Sequence, residues 1–171
     1  MKNSRRIIAI VVAAAALGAG VVGATRGAVQ INIPAPGFEM LNAIDSVPER
    51  DQVQRAFGDN ALIELQRIAT ATLDTVDAGV QVRAIRALVH FTEGRPTVLD
   101  VLARSEIATA RSGTGVVVQR TAVEALGSYH DASDVALVVT YLNAEYSRDV
   151  RVSAARALGQ IGSQTAVEPL R

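Results

Sequence analysis

The stretch "DVRVSAARALGQIG", Asp149 to Gly162, decides the fold. Val150, Ala154, Ala157, Leu158 and Ile161 recur at the spacing of one stripe of a 3.6-residue helix, while Ser153, Arg156 and Gln160 lie opposite. Asp149 stands where an N-cap is wanted, and Gly159 and Gly162 stand where a left-handed C-terminal residue is wanted. The alanines of the stripe let a neighbouring helix approach closely, near the lower end of the usual spacing of about 8–10 Å.

The stretch recurs. "VQVRAIRALVHF" from Val80 and "VQRTAVEALGSY" from Val118 align without a gap on "VRVSAARALGQI" from Val150, at offsets of 38 and 32 residues. Such a period is the signature of a solenoid, whose units bury their apolar faces only against each other. A second apolar segment follows each copy: "PTVLDVLA" from Pro96, "SDVALVVTYL" from Ser133 and "TAVEPLR" from Thr165. Thr165 and Glu168 have capping-box spacing, and Ser133 suits an N-cap. A degenerate first unit spans Ser46 to Ala71, with Pro48 at an N1-like place and Leu62, Leu65, Ile68 and Ala69 at helical spacing.

The expected fold is therefore all-α, an α-solenoid of antiparallel helix hairpins, each helix A followed by helix B. Residues 45–171 form about four hairpins, the last one incomplete because the chain stops at Arg171 soon after helix B begins. The insert from Arg104 to Gly115 lengthens one unit and is expected to bulge from the surface.

Composition agrees with this reading. Aromatic residues make up 4% of the chain and Trp is absent, so the core is built from Ala, Val, Leu and Ile, which favours closely packed helices over a sandwich or barrel. The absence of Cys removes disulfides, thiolate catalysis and Cys-bound metals. Net charge is zero overall and acidic after residue 24, giving no electrostatic reason to expect a nucleic-acid partner.

The N-terminus reads as an address. Lys2, Arg5 and Arg6 precede an apolar run from Ile7 to Leu17, and Val22 and Ala24 suit a signal peptidase, the order of a secretory signal peptide over residues 1–24. "SRRII" from Ser4 resembles the opening of a twin-arginine signal. The expected location is periplasmic or secreted. The alternative is an inner-membrane anchor retained over residues 7–24, the one case in which a membrane is involved. Residues 25–44, with Pro34, Pro36 and Gly37, read as an extended leader.

Val150, Arg151, Ala154, Ala157, Leu158 and Gly159, with Ile161, Gly162 and a second helix opening "AVEPL", resemble the short HEAT-like repeat also found in phycobiliprotein lyases. The resemblance covers residues 46 to 171 and implies a fold more than a function. Its usual Arg after the Val is Gln81 and Gln119 in the earlier copies, which breaks any continuous ladder of buried arginines.

Chemistry-bearing clusters are sparse. Some enzymes with such repeats hold a di-iron centre through His-Glu pairs, whereas Phe91 follows His90 and Asp131 follows His130. His90 is expected to cap the last carbonyls of a helix and His130 to open a turn; "SGTG" from Ser112 reads as a turn, lacking the Lys of a phosphate loop. No catalytic, metal or cofactor residue is expected. In the helix from Ser133, Val135, Val138, Val139 and Leu142 form the expected inward stripe, leaving Asp134, Leu137 and Tyr141 as a protein-binding patch on the B-helix wall. The function expected is a non-catalytic binding or scaffolding module for a protein partner. Alternatives are an enzyme-assisting subunit of the phycobilin-lyase kind and a membrane-tethered adaptor.

Overall fold

The repeated Val, Ala, Ala and Leu decide what the helices bury. Val80, Ala84, Ala87 and Leu88, then Val118, Ala122, Ala125 and Leu126, then Val150, Ala154, Ala157 and Leu158 are all buried. In the computed structural model, which describes residues 31–43, 47–162 and 164–167, these stripes belong to three A helices packed in sequence. The helices are α1 (Ala35–Asn42), α2 (Arg50–Phe57), α3 (Ala61–Ala69), α4 (Ala78–Leu88), α5 (Arg95–Ala103), α6 (Ser105–Ala108), α7 (Gly113–Ser128), α8 (Val135–Thr140), α9 (Arg148–Ile161) and α10 (Gln164–Val167). There is no strand among the described residues. The pairs α2/α3, α4/α5, α7/α8 and α9/α10 are the hairpins of an α-solenoid, with α4 packed between α3 and α7, and α7 between α4 and α9.

The α7–α9 junction is close-packed. A methyl group at Gly127 would lie 2.6 Å from the Ala157 Cα, so only glycine admits α9 at this distance. At the far end of α9, Gly162 takes the left-handed conformation and its N–H donates to Leu158 O.

The helix starts differ from the expected ones in detail. The side chain of Ser147, not Asp149, caps α9 by accepting from Val150 N at 3.3 Å, which places Asp149 in the first turn. Helix α2 starts at Arg50 behind a capping box of Glu49 and Gln52, so Pro48 lies outside it. Ser133 sits in a 3₁₀ turn (Ala132–Asp134), where Asp131 accepts from its N–H and hydroxyl. "SGTG" is not a free turn, since α7 begins at Gly113.

Two larger expectations are corrected. The leader expected over 25–44 contains α1, because prolines are tolerated in a first helical turn and Leu41 gains full burial against the following helices. Gly37 faces the ring of Phe57 so closely that no side chain fits between them. The insert does not bulge, because Ile107 of α6 is fully buried and anchors it against α7. Residues 1–30, on which the expected export signal falls, and Glu168 of the expected capping box lie outside the described residues.

Candidate functional site: the B-helix wall

The hairpins share one burial register, and that register decides which B-helix residues face solvent. In α3 the core positions are Ala61, Leu65, Ile68 and Ala69; around α5 they are Gly94, Val98, Val101 and Leu102; around α8 they include Asp134, Val138 and Tyr141. Asp134 and Tyr141, expected on the surface, are 2% and 4% exposed. The tight 3₁₀ turn before α8 shifts its phase, so Val139 and Leu142 are only half-buried while Asp134 and Tyr141 turn inward. Leu137 stays half-buried on the wall, and the three residues do not form one patch.

Asp134 tolerates burial because Arg95, at the start of α5, reaches it with two nitrogens: Nε donates to one carboxylate oxygen at 2.9 Å and Nη2 to the other at 2.5 Å. The same guanidinium donates to Ser133 Oγ at 2.8 Å and lies 3.3 Å from Asp131. The hydrogen bond to Asp134 raises the Arg95 pKa, and hydrogen bonds from Ser133 lower that of Asp131. Tyr141 tilts against Tyr146, ring centroids 4.9 Å apart, and Arg111 stacks on the far ring at 4.6 Å. Burial pushes the Tyr141 phenol up to about 12.

With the core positions in register, the solvent positions also align. Ile63, Pro96 and Ala136 occupy equivalent places on α3, α5 and α8, all exposed, and Ile63 is 62% exposed. Leu99 and Leu137 flank them, half-buried. Arginines hold the three helices side by side: Arg95 joins α5 to the start of α8, while Arg104, after α5, donates to the carbonyls of Thr70 and Ala71 after α3. The side chains of this apolar row carry no reactive group for covalent chemistry, and the arginine bonds connect the helices that bear them.

Between hairpins, Gln81 and Gln119 perform a repeated task that the sequence reading did not assign. Both are fully buried. Gln81 Nε2 donates to Ala69 O and Ala71 O at 2.9 and 2.8 Å, and Gln119 Nε2 donates to Ile107 O at 2.7 Å, each satisfying carbonyls at the end of the preceding helix. The corresponding Arg151 is exposed. The signal in the sequence is a polar residue directly after the first Val of a copy, Gln81 or Gln119, where the repeat that the chain resembles has Arg.

His90 does not cap its own helix: its Nε2–H donates to Pro48 O at 3.0 Å, tying α4 to the start of the first hairpin. His130 adopts a φ of 54°, and its Nδ1–H reaches Gln160 O on α9 at 2.6 Å. Among the described residues no group of three or more His, Asp and Glu could hold a metal ion, and no helix is long and apolar enough to cross a membrane.

Residues 107–171, from α6 to the end of the chain, match the family model described as HEAT repeats. No curated protein matches the chain. No solved structure matches it either.

Proposed function

From the premise that this chain is a HEAT-repeat protein, we propose that it is a non-catalytic scaffolding module, exported from the cytoplasm, which binds a protein partner on the wall formed by α3, α5 and α8. The observation that carries this reading is the aligned apolar row of Ile63, Pro96 and Ala136, exposed on helices that inter-repeat arginines hold at fixed spacing. A partner that covers this row gains apolar burial without the module having to reorganise. Export is supported by the basic head, the apolar run from Ile7 and the small residues Val22 and Ala24.

Site-specific crosslinking from Ile63 and Ala136 in the native host tests the binding surface. A discrete crosslinked protein is expected, lost when the neighbouring wall position carries Glu and retained when an A-helix position does; equal yields from both faces would overturn the assignment. N-terminal sequencing of the protein from its native host tests export. A mature start after Ala24 is expected, and retention of residues 7–24 would replace secretion by tethering.

A further inference from the structure

A groove between two A helices carries charge that the fold leaves unused. Val89, at the end of α4, stands 38 residues before Gly127 and takes its place in the repeat, so α7 meets a side chain where α9 meets none. Between α4 and α7 lies a groove of about 330 Å³, lined by no residue of α3, α5 or α8 and therefore separate from the B wall. Val47, Val89 and Ala125 give it apolar walls, and Val47 is 42% exposed. Arg86 of α4 and Glu124 of α7 also line it, both half-buried and, at the same offset of 38, in the same place in successive repeats.

The charges around the groove are committed elsewhere. Arg83 donates to Leu41 O, Arg120 pairs with Asp149, and the His90 ring bonds Pro48 O. Beside Val47, Glu49 closes the α2 capping box and Arg50 lies over the Phe91 ring. Arg156, the next member of the Arg86 and Glu124 row, is exposed on α9 and lines no part of the groove. Arg86 and Glu124 thus face one groove with opposite charges and make no hydrogen bond or ion pair, with each other or with another described residue.

A half-buried charge against apolar walls has lost hydration that nothing in the fold replaces, and a ligand of the opposite charge restores it. We propose that this groove binds an extended peptide segment of a partner protein, with an acidic side chain on Arg86 and a basic one on Glu124. Spacing selects the peptide. Packed helices lie about 8–10 Å apart, and three residues of a polyproline II segment advance about 9 Å and return to the same face. The acid and the base therefore stand at i and i+3, with small apolar side chains between them against Val47, Val89 and Ala125. A free amino acid holds its two charges too close together to reach both helices.

Fluorescence anisotropy of labelled peptides on the purified full chain is the test. The probe is an end-blocked peptide of alanine and proline that carries one aspartate and, three positions later, one arginine. Three controls carry two aspartates, two arginines, or the mixed pair two positions apart. The mixed i, i+3 peptide is expected to bind at least about tenfold tighter than any control. Arg86→Glu should transfer the preference to the two-arginine peptide and Glu124→Arg to the two-aspartate peptide, while Arg156→Glu leaves it in place. The milder Arg86→Gln and Glu124→Gln should each weaken the mixed peptide by about tenfold without lowering the melting temperature, since neither native side chain bonds the protein. Equal affinity for all four peptides, a preference that survives both charge reversals, or displacement of the peptide by a free amino acid would each overturn the proposal.

Discussion

Arg95 and Asp134, 39 residues apart, join two hairpins through a bidentate ion pair whose halves are unequally buried, with side-chain exposures of 25% and 3%. The inequality fixes what each mutation does. Arg95→Met strands a buried carboxylate and is expected to cost about 3 kcal/mol. Asp134→Asn leaves a partly solvated guanidinium that keeps Ser133 and Asp131 beside it, and is expected to cost about 1 kcal/mol. Urea unfolding of both variants checks the order; equal losses would show that burial of the acid is not the controlling term.

Gly127 and Gly159 occupy the same place in successive A helices and should respond to alanine with opposite signs. Gly127→Ala forces α9 away from α7 and is expected to destabilise by about 2 kcal/mol. Gly159→Ala meets no neighbour and gains helix propensity, stabilising by about 0.5–1 kcal/mol. Thermal melting of the pair is sufficient to check this.

Gln119→Leu removes the donor that satisfies Ile107 O in the interior, while keeping the side chain's approximate volume. A loss of about 1–3 kcal/mol is expected, as for any buried acceptor left without its partner. The loss should appear as faster amide exchange in α6 and the N-terminal half of α7. Arg151→Leu, at the equivalent but exposed position, is expected to change stability by less than about 0.5 kcal/mol.

Burial holds the phenols of Tyr129 and Tyr141 above their ordinary value of 10.0, that of Tyr141 at about 12. Between pH 10 and 12 the unfolded chain therefore releases these protons while the folded one retains them, so stability falls as pH rises through this window. Chemical denaturation at a series of alkaline pH values checks the slope. Tyr141→Phe should flatten it, and Tyr141→Ala, which vacates a core position, is expected to cost about 3–5 kcal/mol at neutral pH.

The repeat was legible because its chemistry is local: one Val, two Ala and one Leu at helical spacing specify a buried stripe wherever they occur. The phase of α8 was not legible. A short 3₁₀ turn rotates its residues, and the charge on Asp134 that argues for solvent is neutralised by an arginine one hairpin earlier. Helix α1 was hidden by its prolines, which look like linker signals until Leu41 finds a core to enter. Of the patch expected on the B wall only Leu137 remains. The row that replaces it, Ile63, Pro96 and Ala136, becomes visible only when three helices are set in one burial register.

The glutamine bonds point backward along the chain: Gln81 completes the end of α3, and Gln119 completes the end of α6. A chain leaving the ribosome would thus finish these two ends only when α4 and α7 emerge, so this part of the assembly has a direction, and a nascent chain halted before residue 119 holds α6 without its seal. At these two junctions the later helix locks the one made before it, whereas Arg151, at the same place in α9, stays in solvent.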